Sequence, residues 1–227
     1  MDFDRHADEY QAAVEEAAGV SVEALAGEKA HLILDVLATL LGDPKRLRVL
    51  DIGCGIGLID RELAREVAEL CGVDVSPRSL EVARGRVPAT RFLHYDGAHL
   101  PFVDGIFDAA FASCVLHHVR PAARLGFMAE MLRVLRPGGI AILIEHNPLN
   151  PVTRLIVSRC AFDTDAVLLG CGESRRLLAE AGTLVGGRRY IGFSPYRHAL
   201  VERVERAFGW LPAGAQYCVW GIKPARG

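Results

Sequence analysis

The chain has 227 residues, 51% of them hydrophobic and 24% charged, with a formal net charge of −2. That length suits one domain with a substantial core, and the interspersed, nearly balanced charge offers no footprint for a polyanion, which argues against nucleic acid as a partner. No apolar run approaches the roughly 20 residues that span a bilayer, and the opening "MDFDRHADEY" is too acidic for a signal peptide, so a cytoplasmic protein is expected.

In chain order, residues 5–18 and 22–41 read as helices, the second with apolar residues at helical spacing from Val22 to Leu40. "GDP" at 42–44 breaks the chain. An alternation follows: "RVLDIG" (48–53) as strand, "LIDRELAREV" (58–67) as helix, "AELCGVDVS" (68–76) as strand, and a helix opened by Pro77. Residues 90–97, 107–115 and 139–147 are the next strands, the last two separated by a helix in "AARLGFMAEMLRVLRPGG" closed by Pro137 and two glycines. Residues 148–173 interrupt the pattern and are read as a lid-like insertion. A helix in 174–182 then precedes two strands, 184–193 and 214–222, with a helix around 196–208 between them. Such alternation predicts βαβ units in a doubly wound, mostly parallel sheet with an antiparallel last strand, the final pair lying hairpin-like on one edge. One domain is expected over 1–227: a helical cap (1–41), a core (46–147), the insertion, and C-terminal helices and edge strands (174–227).

Six cysteines are scattered without a CxxC pair, as in a reduced compartment; neither a disulfide framework nor a cysteine-held zinc is predicted. In an open α/β sheet the ligand lies outside the carboxyl ends of the strands, which directs attention to the loops after Leu50, Val73, His94, Cys114 and Glu145.

"VLDIGCGIG" (49–57) follows the first strand with glycines at every second position and an acid, Asp51, before them. A dinucleotide fingerprint would need glycine at position 58, which is leucine, and Asp51 would repel a pyrophosphate. A cationic ligand reverses that sign. The stretch resembles the first motif, D/E-x-G-x-G-x-G, of the class I S-adenosylmethionine-dependent methyltransferases, and further motifs follow in order. "GVDVS" (72–76) is similar to the second, where the acid, here Asp74, bonds the ribose hydroxyls; it stands 21 residues after Gly53. "HYDGAHLPF" (94–102) resembles the third, in which Asp96 and the following amide of Gly97 meet adenine, while "FDAAFASCVLHHV" (107–119) and "MLRVLRPGGIAILIE" (131–145) complete the match.

The resemblance implies a seven-stranded Rossmann-like methyltransferase fold and S-adenosyl-L-methionine as cofactor, held by Asp51, Gly53, Cys54, Gly55, Gly57, Asp74, Val75, Asp96, Gly97 and Cys114. Tyr10 joins them because "FDRHADEY" is similar to the helix that closes over the cofactor. Asp108 is read as structural, bonding loop amides. His117 and His118 follow the fourth strand at its carboxyl end, where a base, a substrate-orienting group or a pocket wall would stand. Glu145 and His146, at the end of the fifth, form the second candidate catalytic pair. "EHNPLNP" (145–151) departs from the N/D-P-P-Y/F motif of enzymes that methylate nucleic-acid amines, and no carboxylates cluster as a metal-dependent catechol methyltransferase requires. No metal is implied. The insertion is loosely similar to small-molecule methyltransferases of glycan or secondary-metabolite pathways, with Arg154 and Arg159 either shaping substrate choice or lying on the surface. The expected activity is methyl transfer to an oxygen or nitrogen of a small molecule; a catalytically silent, cofactor-binding partner subunit is the alternative.

Overall fold

A computed structural model describes residues 15, 19, 21–193 and 207–225. The predicted helices at 5–18 and 196–208 fall almost wholly outside those residues, as does Tyr10. The first helix described, α1 (Val22–Leu41), starts where the Ser21 hydroxyl accepts from the Ala24 amide and stops at Gly42, whose φ is +88°.

Seven strands form one sheet: β1 (Arg48–Ile52), β2 (Glu69–Asp74), β3 (Arg91–His94), β4 (Phe107–Ser113), β5 (Leu135–His146), β6 (Leu184–Ile191) and β7 (Gln216–Ile222). Their order is β3-β2-β1-β4-β5-β7-β6, parallel except for β7, which runs antiparallel to both its neighbours. Helices α2 (Leu58–Leu63), α3 (Pro77–Arg86), α4 (Arg124–Val134), α5 (Pro151–Arg159) and α6 (Cys171–Glu180) make the connections. The predicted edge pair is present, with β6 on the outside and β7 inserted against β5.

Period-two alternation divides the core between the two faces of the sheet. Val49, Ala109, Phe111, Ile140, Ile142 and Ile144 pack on one side with Ile33, Val36 and Leu37 of α1. Leu50, Ile52, Ala110, Ala112, Ala141 and Leu143 pack on the other with Phe127, Met128 and Met131 of α4 and Leu177 and Leu178 of α6. With both faces covered, the central strands β1, β4 and β5 are mostly apolar, and the open edge of the architecture is the carboxyl end, where the order reverses between β1 and β4.

Two predicted boundaries move. The helix expected to run to the glycines stops at Val134, and Leu135 already pairs with Phe107, so "RPGG" enters β5. Proline has no amide to continue the helix, and the ladder slips between Phe107 and Ala109 to absorb Pro137–Gly139. A Cβ at Gly139 would stand 2.9 Å from the Asp108 and Arg136 carbonyl oxygens, so this slip requires glycine. The boundary after the insertion moves too: α6 begins at Cys171 rather than at 174, and within 148–173 Asn150 caps α5, accepting from Thr153 N at 3.0 Å, before a 3-10 turn at Ala161–Asp163.

Arg124 ties this segment down. Only 1% exposed, its guanidinium donates to the carbonyls of Leu116 and Val119 after β4 and of Val167 in the insertion, and pairs with Glu173 at 2.8 Å.

Candidate active site

The turn after β1 is built from three left-handed glycines, Gly53 (φ +82°), Gly55 (+53°) and Gly57 (+75°). They differ in what surrounds them. A Cβ on Gly53 would stand 2.5 Å from Val115 Cγ2, and one on Gly57 would press on Ala83 at 3.2 Å. A Cβ on Gly55 would meet none of the described atoms within 4 Å. Asp74, at the end of β2, accepts from Gly55 N at 2.8 Å and from Ser76 N at 2.9 Å, so the glycine turn and the second strand are joined at the cleft.

Asp51 is 2% exposed and Asp60, in α2, is fully buried. Asp51 Oδ1 and both Asp60 oxygens receive no hydrogen bond from any other described group, yet the two carboxyls lie within bonding reach of each other, which requires a proton between them. Burial, reinforced by the neighbouring Asp60 and Asp74, holds Asp51 well above the usual carboxylate range, and burial pushes Asp60 up to about 7. A buried carboxyl pair with unfilled acceptor positions suits a cation. Asp60 was not legible in the sequence, where "IDREL" reads as a solvated helix face.

Around the cleft, Val75 is 39% exposed and sits against Gly97 (φ +81°), whose added Cβ would be 3.3 Å from Val75 Cγ1. Asp96 is exposed. Its Oδ1 accepts from the amides of Ala98 (2.8 Å) and His99 (2.6 Å), which hold its carboxyl down at about 2. The Cys54 thiol is buried with Leu80, Ala83 and Phe92, which leaves its backbone as the part a ligand would meet. Cys114 has a left-handed backbone (φ +59°), a strained conformation for a side-chain residue. Its Sγ accepts from Lys29 Nζ (3.3 Å) and Gln216 Nε2 (3.2 Å). Burial opposes its ionisation, but Lys29 and His146 outweigh it and bring the thiol to about 6. Lys29 and Gln216, from α1 and β7, carried no sequence signal.

At the ends of β4 and β5 the four predicted catalytic residues do converge, and their roles separate. Glu145 is sealed in the interior, accepting from Val115 N (2.9 Å) and Leu116 N (2.7 Å) through Oε1 and meeting His117 Nδ1 at 2.6 Å through Oε2. His117 is 1% exposed and its other nitrogen, Nε2, is 3.2 Å from Asp163 Oδ1. Burial acts against its charged form, but Glu145 and then Asp163 outweigh it, raising it to about 10. With both ring nitrogens engaged by carboxylates, the geometry favours the orienting role among those expected for His117 over proton abstraction. His118 Nε2 is 3.5 Å from the same Asp163 oxygen; burial first, then His117, lowers it to about 4. The His146 ring lies 5.1 Å from that of His117. Asp108 is structural as expected, accepting from Arg48 N at 2.7 Å and Arg136 Nε at 2.6 Å.

Residues 50–143 match a family profile described as a methyltransferase domain. Over 104 residues the chain is 38% identical to an uncharacterized methyltransferase of Synechocystis, covering 45% of this chain and 49% of that protein. Over 110 residues it is 36% identical to a demethylmenaquinone methyltransferase of Tropheryma whipplei, covering 48% and 45%. The chain thus spans about half the length of the curated relatives it matches. The crystal structure of an S-adenosylmethionine-dependent methyltransferase of Thermotoga maritima, a possible histamine N-methyltransferase, superposes with a TM-score of 0.71 at 19% identity over 97% of both chains, a likeness of fold. Residues 50–143 thus carry the sequence pattern of a methyltransferase domain, on a fold that the chain shares with this methyltransferase structure.

Proposed function

We propose that the protein binds S-adenosylmethionine in the cleft between β1, β2 and β4 and transfers its methyl group to an oxygen or nitrogen of a small molecule. The observation that carries this reading is the buried Asp51 carboxyl near the end of β1, whose Oδ1 receives no hydrogen bond from any described group other than Asp60, followed by a turn in which a Cβ on Gly55 would meet none of the described atoms within 4 Å. The residues present fit the cofactor. Asp51 and Asp60 offer negative charge to its ammonium, Gly55 leaves room for close backbone approach, and Asp74 stands where ribose hydroxyls would be accepted. Val75 and Gly97 would flank the adenine, with Asp96 shaping that loop.

When bound, the cofactor supplies a methyl group already activated by its sulfonium, so the protein's share is proximity and alignment for an in-line displacement. Asp51 and Asp74 fix the two ends of the donor. Glu145 sets the loop after β4 by holding the Val115 and Leu116 amides, and with Asp163 it fixes the His117 ring at the acceptor end. The name of the Tropheryma relatives, demethylmenaquinone methyltransferase, supports a small-molecule acceptor.

Calorimetric titration tests the reading. S-adenosylmethionine and S-adenosylhomocysteine are expected to bind, Asp51→Ala is expected to weaken both by about tenfold or more, as loss of a charged partner does, and NAD is expected to give no heat. Binding of NAD with no response to S-adenosylmethionine overturns the proposal.

A further inference from the structure

His117 and His118 lie in the turn after β4, whereas Asp163 comes from the 3-10 turn in the insertion, more than forty residues later. The fold brings one ligand atom from each of His117, His118 and Asp163 within 4.8 Å of the others. Two of the separations are 3.2 Å (His117 to Asp163) and 3.5 Å (His118 to Asp163). Donors that each lie about 2.0–2.1 Å from a tetrahedral ion stand about 3.3–3.4 Å apart. The measured pair brackets that value.

The remaining ring nitrogen of His117 is equally informative. Nδ1 meets Glu145 Oε2 at 2.6 Å, and the other Glu145 oxygen is pinned by two backbone amides. A carboxylate on the far nitrogen is the usual support of a metal-ligating histidine, because it fixes the tautomer with N–H toward the carboxylate and the lone pair toward the ion. A doubly protonated His117 would donate to both carboxylates, whereas the neutral tautomer turns the Nε2 lone pair toward Asp163 Oδ1 and calls for a cation between them. Formal charge points to an ion rather than a lone proton. Glu145 and Asp163 bring two negative charges to the imidazole pair. One proton offsets one of them; one divalent ion offsets both and leaves the imidazoles neutral.

We propose that His117 Nε2, His118 Nε2 and Asp163 Oδ1 form a binding site for a divalent transition-metal ion of the Zn2+ class, with Glu145 as the positioning residue behind His117. Two imidazoles and one carboxylate suit such ions, and three protein ligands leave a fourth position open. The site rests on side-chain geometry alone, independently of methyl transfer. Within the methyl-transfer reading, the open position would take the acceptor's hydroxyl or amine and lower its pKa. The sequence carries no metal-ligand spacing because the third ligand is supplied by a different element.

The test is titration of the metal-stripped full chain with Zn2+ by calorimetry, and with Co2+ by visible absorption. One equivalent of Zn2+ is expected to bind, Co2+ to give the intense d–d bands of a tetrahedral site, and Zn2+ to raise the thermal midpoint. His118→Ala and Asp163→Asn are each expected to weaken binding by at least about tenfold, and Glu145→Gln to weaken it about 10- to 100-fold while one equivalent is retained. Circular dichroism verifies the fold of each variant. Should Asp163→Asn fail to fold, the half-buried His118 decides the matter. Absence of saturable binding below the millimolar range, or binding unaffected by His118→Ala, overturns the site; the latter would place the ion elsewhere, for example on cysteine thiols. Methyl donor binding is measured separately, so loss of either property leaves the other standing.

Discussion

Replacing Asp60 by asparagine removes one member of the carboxyl pair that β1 and α2 bury together. Burial is the main reason Asp60 titrates at about 7 rather than 3.8. Its surroundings include Asp51, Asp74 and Cys54, with Lys29 the cation that faces Asp51. In the unfolded chain the group titrates near 4. Between about pH 4 and pH 7 the folded protein therefore holds a proton that the unfolded chain has released, and stability falls as pH rises across that window. The penalty is absent below about pH 4 and fully present above about pH 7. The rise from 3.8 to about 7, at about 1.4 kcal/mol per pH unit, amounts to about 4 kcal/mol. Asparagine keeps the shape, cannot ionise, and offers an NH2 donor to the Asp51 carboxylate. The stability of Asp60→Asn relative to the wild type is thus expected to improve by about 4 kcal/mol between about pH 4 and pH 8. Urea unfolding without cofactor, at pH steps across that range, reads the difference directly. A difference that stays constant with pH refutes the shared-proton account of the pair.

The same pair predicts that binding of S-adenosylmethionine near pH 7 releases protons, because an incoming ammonium favours the ionised carboxyls. Calorimetry in buffers of different ionisation enthalpy checks this, and buffer-independent heats would contradict it. Two glycines separate fold from binding. Gly53→Ala drives a Cβ into Val115 and is expected to lower stability by about 1–3 kcal/mol. Gly55→Ala meets no atom, so its stability should change by only about 1–2 kcal/mol of backbone strain, while cofactor affinity falls about tenfold or more, as when a close backbone contact is lost. Equal cofactor affinity in Gly55→Ala and wild type would remove Gly55 from the site. Arg124→Met strands the carbonyls of Leu116, Val119 and Val167 and is expected to destabilise the protein by about 3 kcal/mol or more in chemical unfolding. A loss under about 1 kcal/mol would show that the buried guanidinium does not hold the insertion.

The strands were legible because each obeys a local rule. "IAILI" is apolar throughout because both of its faces are covered, and the turn "DIGCGIG" stands out because three left-handed positions in succession call for glycine. Asp74 was legible for a similar reason, since a βαβ unit fixes how far along the chain the second strand ends. Boundaries were less secure. The end of α4 depended on a ladder slip opposite Phe107 that only the neighbouring strand specifies.

What the sequence determined by itself is the doubly wound sheet, the location of the cleft at the strand ends, and the acid and glycines that suit a cationic cofactor. These rest on periodicity and spacing within a single βαβ unit. Tertiary structure alone decided the rest. It buried Asp60 against Asp51, turned Glu145 and His117 from a free acid and base into an internally bonded pair, sent the Cys54 thiol into the core, and carried Asp163 from the insertion to the two histidines. Each of those outcomes is a contact between elements distant in the chain, and the charge and proton content of a buried side chain are set by the groups facing it rather than by its neighbours in sequence.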